Sequence, residues 1–137
     1  MSVTDPIADA ITKVRNAYRA KHMKVTVNHS NVVENVVKIL VEENYINSYQ
    51  ILERDVDKKR YRRQIFINLR YTNTGDPLIR GIQRVSTPGR RVYVKGTNVP
   101  SVYNNIGCAI ISTNRGVMVD REARKQRVGG EYLIKIW

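Results

Sequence analysis

Apolar residues near the start of the chain recur at spacings of three and four. Ile7, Ala10, Ile11, Val14 and Tyr18 form one stripe, and Thr12, Arg15, Asn16 and Arg19 fall on the opposite side, which predicts an amphipathic helix. Asp5-Pro6 marks its start, since Asp5 offers an N-cap acceptor and a proline at the first helical position sacrifices no intrahelical hydrogen bond. Residues 24–27 alternate as a short strand. Asn31-x-x-Glu34 reads as a capping box ahead of Val33, Val36, Val37 and Leu40, which predicts a second helix ended by Asn44 in the left-handed conformation. Residues 45–52 and 61–71 are rich in β-branched and aromatic types and read as strands. The charged run between them, 54–60, has Val56 as its one apolar residue and reads as a long hairpin tip.

Thr74-Gly75-Asp76-Pro77 is the strongest punctuation in the chain, and it sets the expected boundary between a domain of residues 1–74 and one of residues 75–137. Past it, 78–85 and 92–95 read as strands joined by a Pro88-Gly89 turn, and 99–106 as a short helix. Residues 107–112 form an apolar strand, followed by a turn at Thr113-Asn114-Arg115-Gly116 and a further short strand. Asp120 reads as the cap of a brief helix carrying Arg121, Arg124, Lys125 and Arg127. Gly129-Gly130 reads as the stop before a final strand, 131–137. The pattern predicts an α+β fold of two small domains: an N-terminal helix-strand-helix plus strands, and a mainly β C-terminal domain with short helices.

Charge sharpens this picture. The 137 residues hold 24 Lys and Arg against 12 Asp and Glu, a net of +12. Residues 1–48 carry six basic and five acidic side chains, whereas residues 49–137 carry 18 and seven, so the positive potential belongs almost wholly to the second part. Polyanions are the expected partners. No apolar run approaches the roughly 18 residues that would span a bilayer, which argues against a membrane role. Asp5 and Asp9 stand where a secretory leader would be basic and then apolar. Cys108 is the lone cysteine, so no internal disulfide forms and a reducing compartment is expected.

Catalytic chemistry is poorly supplied. His22 and His29 lack the spacing of a metal pair, the acids sit mainly at helix starts and turns, and no glycine loop has the lysine and spacing that cradle a nucleotide. No cofactor or metal is expected. Binding is better supplied. Arg84, Arg90, Arg91 and Lys95 flank the turn Ser86-Thr87-Pro88-Gly89 and surround Tyr93, which combines charge for phosphates with a ring for stacking. Ser112-Thr113-Asn114 adds three short polar side chains at a strand end, suited to base edges and ribose hydroxyls. A DNA-binding or general basic regulator, and a small nuclease or RNA-modifying enzyme, are the competing readings.

These same residues carry a resemblance. Asp5-Pro6-Ile7-Ala8-Asp9 through Arg15-Asn16, then 84–93, then 111–118 with Asp120, Ala123-Arg124 and Gly129-Gly130-Glu131 closely resemble the bacterial form of the small-subunit ribosomal protein eight family. The resemblance implies a non-enzymatic cytoplasmic protein of the small ribosomal subunit that binds the central domain of 16S ribosomal RNA and helps organise the platform. It implies neighbouring small-subunit proteins as partners and, in some relatives, the messenger RNA of their own operon. It carries RNA contact to Ser112, Thr113 and Asn114, with Gly130 and Glu131 bordering the same surface. Asp5, Thr12, Arg15 and Asn16 would face a second RNA segment. Asn114 departs from the serine of many relatives, and the hairpin at 53–63 is longer and more basic than the family pattern, so its role stays open.

Overall fold

The computed structural model describes residues 5–57 and 60–137, with backbone alone for 54–57 and 60–62. It divides into two compact units, Met1–Leu78 and Ile79–Trp137. The α+β class expected from the pattern is what the chain adopts.

In the first unit, α1 (Pro6–Arg19) begins where Asp5 accepts a hydrogen bond from the Ala8 amide at 3.2 Å, and it buries Ile7, Ala10, Ile11, Val14, Ala17 and Tyr18. Strand β1 (Lys24–Asn28) follows, then α2 (Asn31–Glu42). The cap of α2 is Ser30 rather than Asn31: its hydroxyl accepts from the Val33 amide at 3.2 Å. Glu34 therefore lies one position too far for a capping box, and it pairs with His29 Nε2 at 2.7 Å. Asn44 takes the left-handed conformation expected of it (φ 64°).

Strands β2 (Ile46–Asp57) and β3 (Arg60–Leu69) complete a three-stranded antiparallel sheet in the order β1-β3-β2. Their ladder continues to Asp57↔Arg60, so the run read as a loop tip is mostly strand. Complementary charge explains why a polar stretch can extend the ladder: Glu53 and Arg63 are register partners and meet at 3.1 Å. Lys58 and Lys59, also part of that expected tip, lie outside the described residues. Val27, Ile65, Ile67 and Leu69 on the sheet and Val33, Val36, Val37 and Leu40 on α2 are all buried, giving the unit an aliphatic core.

The second unit contains β4 (Ile82–Arg84), β5 (Tyr93–Val94), β6 (Cys108–Thr113), β7 (Gly116–Val119), α3 (Asp120–Gln126) and β8 (Gly130–Ile136). Its sheet runs β4-β8-β6-β7, and β5 also pairs with β8. β4 matches the far end of β8 (Ile82↔Ile136) and β5 the near end (Tyr93↔Glu131). The long expected strands at 78–85 and 92–95 are thus two short ones.

The segment 99–106 is no helix. Tyr103, Asn104 and Asn105 all have positive φ (46°, 53° and 68°), a run that no right-handed helix accommodates. Its carbonyls find another donor: Arg124 Nη1 reaches the Val99 and Pro100 oxygens at 3.4 and 3.3 Å. Asp120 likewise does not cap α3, whose N-cap is Val119 with no side-chain bond. Instead its buried carboxylate accepts from the Ala109 amide at 3.2 Å and from Arg124 Nη1 at 2.9 Å, fastening helix, strand and loop together. Arg127, in the left-handed conformation, ends α3, so Gly129-Gly130 is not the stop.

Candidate nucleic-acid interface

Antiparallel pairing fixes which side chains stand side by side, because directly opposed residues project from the same face. Tyr93 opposes Glu131, Glu131 opposes Ser112, and Ser112 opposes Val117. Two clusters that are separate in the sequence therefore join into one row across β5, β8 and β6. Tyr93 is 70% exposed, so its ring is available for stacking.

Glu131 is the centre of this row. Its Oε2 accepts from the Ser86 hydroxyl at 2.5 Å and from Arg91 Nη1 at 2.9 Å. The Ser86 hydroxyl in turn accepts from the Val92 amide at 3.1 Å, closing the base of the 86–92 loop. Burial pushes the Glu131 carboxyl up, but the Ser86 hydrogen bond, the Arg91 hydrogen bond and charge, and the Arg84 charge outweigh it and hold the group below the usual carboxylate range. Ser86 is fully buried, which makes it the anchor of Glu131 rather than a surface group.

Within the loop, the Thr87 and Arg90 amides each donate to the other residue's carbonyl, at 3.0 and 3.1 Å, a tight turn that puts Pro88 and Gly89 at its exposed tip. Arg90 points from that tip into solvent, and Arg84 donates to the Leu133 carbonyl at 2.7 Å. Gly130 has a packing reason: a Cβ there would collide with the Ser112 carbonyl oxygen, so only glycine lets β8 approach β6 at this point.

The three short polar residues differ in their freedom. The Thr113 hydroxyl donates to the Gly116 carbonyl at 2.8 Å and accepts from the Arg115 amide at 3.0 Å, so it shapes the turn. Among the described residues, the Ser112 hydroxyl and the exposed Asn114 amide make no hydrogen bond. In the first unit, Asp5 caps α1, and Thr12, Arg15 and Asn16 lie on the side of that helix away from its buried stripe.

Residues 5–137 match the family model described as ribosomal protein S8. The chain belongs to the ribosomal protein S8 family. It is 46% identical over 138 residues to the small ribosomal subunit protein uS8 of Syntrophus aciditrophicus, covering the whole of both chains. Identity to the protein of that name from Thermodesulfovibrio yellowstonii is 46% over 135 residues, 98% of this chain and 99% of the other. For Corynebacterium glutamicum it is 43% over 137 residues, all of both chains. Membership of a ribosomal protein S8 family makes the protein a structural part of the ribosome and not an enzyme, with the cytoplasm as its place of work.

What the sequence reading missed in this ribosomal protein is the Asp120–Arg124 brace. The two residues stand four apart, the spacing at which a helix brings an acid and a base together, and that signal was available. Their joint hold on the Ala109 amide and the Val99 carbonyl, by contrast, depends on segments far away in sequence.

Proposed function

We propose that this protein binds 16S ribosomal RNA directly, within the RNA's central domain, and helps assemble the platform of the small subunit. The Tyr93–Glu131–Ser112 row carries the reading: it sets a free ring, a fixed carboxylate and an uncommitted hydroxyl in line, with the unbonded Asn114 amide in the adjoining turn. Such a set suits an irregular RNA helix, whose shallow groove offers hydroxyls and base edges to short side chains. Arg84, Arg90 and Arg91 beside it supply phosphate attraction, Thr87, Pro88 and Gly89 give the loop its narrow tip, and Thr113 and Gly130 keep the turn and the strand spacing. Ser86 acts through Glu131, which it anchors.

The outward side of α1, with Asp5, Thr12, Arg15 and Asn16, meets a second RNA segment. Neighbouring small-subunit proteins complete the surroundings. A messenger RNA helix of the same shape would fit the same row, which supports repression of the protein's own operon. The domain boundary near Thr74-Gly75-Asp76-Pro77 separates the two RNA-facing parts.

Chemical footprinting of the full-length protein on small-subunit RNA tests this. A discrete protected helix in the central domain, lost in a Ser112→Ala variant, is the expected result. Uniform protection along the RNA, protection abolished by competing duplex DNA, or protection unchanged by Ser112→Ala would each count against it.

A further inference from the structure

The second unit holds 11 basic and three acidic side chains. All three acids are engaged within the unit: Asp120 with Arg124, Glu131 with Arg91 and Ser86, and Glu122 with Gln126 Nε2 at 2.8 Å. Among the described residues, Lys95, Arg115, Lys125 and Arg127 are in no ion pair. Their positive charge is left for something outside the unit.

The fold gathers these four around one end of α3. Arg115, in the β6–β7 turn directly after Asn114, donates from Nη1 to Gln126 Oε1 at 3.5 Å. Lys125 and Arg127 flank Gln126 and are exposed. On the other side, a Cβ at Gly96 would collide with the Arg127 carbonyl, so the turn after Lys95 lies against the end of the helix. Four cations outside any ion pair, with Glu122 as the one nearby carboxylate that Gln126 holds, leave a net positive cluster whose repulsion is offset when a polyanion binds.

We propose that the end of α3, through Arg115, Lys125 and Arg127 with Lys95 beside them, is a second phosphate-binding ridge that holds the RNA strand flanking the one met by Ser112 and Asn114. The ridge rests on the RNA-binding reading above, but its task differs. Long flexible cations on a helix end and a turn take up phosphates without reading bases, so they supply affinity and register while the polar row supplies choice. Each phosphate neutralised steepens the salt dependence of binding.

The test uses full-length protein and a central-domain transcript of 16S RNA, titrated across salt concentrations. A Lys125→Gln, Arg127→Gln double variant is expected to flatten the log-log slope by about 0.7 to 0.9 for each cation removed, and to leave the preference over an arbitrary hairpin unchanged. Arg115→Gln alone provides a second measurement and is expected to remove one such step. Lys38→Gln, at an exposed position of α2, is the control and leaves the slope as it was. An unchanged slope in both ridge variants, or an equal fall in the Lys38→Gln control, overturns the ridge. Selectivity of the wild-type protein is read in the same titrations: if it has none, the interface reading fails whatever the ridge variants do to the slope.

Discussion

The buried Ser86 hydroxyl donates to the Glu131 carboxylate from 45 residues away in sequence, and with the backbone bonds from Ser86 N to Tyr132 O and from Tyr132 N to Val92 O it ties the 86–92 loop to the last strand. Because Glu131 also receives Arg91, the acid converts an arginine-bearing loop from a solvated run into a positioned one. Preorganisation of this kind lowers the ordering cost that a flexible cationic loop would bear on binding RNA.

Glu131→Gln is expected to lower stability by about 1 to 2 kcal/mol, because hydrogen bonds to a charged acceptor are the stronger kind. The pH dependence follows from the sign of its shift. A carboxyl held below its ordinary value contributes stability that is fully present above the unfolded pKa of about 4.3 and is lost as pH falls through the lower folded value. Urea unfolding of wild type and variant should therefore differ at pH 7 and converge under acid conditions. A constant difference down to pH 2 would refute the assignment.

Ser112 and Thr113 should behave differently although they are neighbours. Ser112→Ala removes no hydrogen bond made within the protein, so stability should change by less than about 0.5 kcal/mol, while binding to cognate RNA weakens by about 1 to 3 kcal/mol. Thr113→Val breaks two bonds that form the turn and should cost about 1 to 2 kcal/mol of stability as well as RNA affinity. Parallel unfolding and filter-binding curves against an arbitrary hairpin check both.

Gly130→Ala forces a methyl against the Ser112 carbonyl. Strand β8 must then move from β6, and the row that depends on their spacing moves with it. The expected outcome is a loss of several kcal/mol in stability, on the order of other overpacking and ladder defects, with amide exchange accelerated at Thr113 and Glu131. Native-like exchange there would show that the close approach is dispensable.

Asp120→Ala leaves Arg124 without its carboxylate and the buried Ala109 amide without its acceptor. Breaking one side of such a pair costs about 3 to 5 kcal/mol. Loosening should centre on 99–107, and thermal melting with proteolysis of that segment reads it.

Tyr132 contributes to the loss of stability at alkaline pH. Burial, with a smaller effect from Asp120, pushes its hydroxyl up to about 12. Its neutral form is thus favoured in the fold, so this stabilisation is complete below the unfolded value near 10 and declines as pH rises from there towards 12. Tyr132→Phe should flatten the loss of stability in that range, as followed by circular dichroism.

How far the sequence could be read depended on the range of the interaction. Helix α1 was legible to its cap, because Asp5, Pro6 and the spacing of Ile7, Ala10, Ile11 and Val14 act within a few residues. The two polar clusters were visible as residue types, since charge and residue type do not depend on folding. The helix expected at 99–106 was not formed, because Arg124, distant in sequence, satisfies the carbonyls that a helix would have used. For the same reason Asp120 left its expected cap and turned inward to Ala109.

The sequence by itself determined the class of fold, the basic second part and the types of side chain that suit RNA, all of which follow from local periodicity and composition. Only the tertiary structure decided that Tyr93, Glu131 and Ser112 share one row and that Ser86 is buried beneath it. Strand register is the physical reason: a shift of one residue in the β6–β8 or β5–β8 ladder would turn each of these side chains to the opposite face.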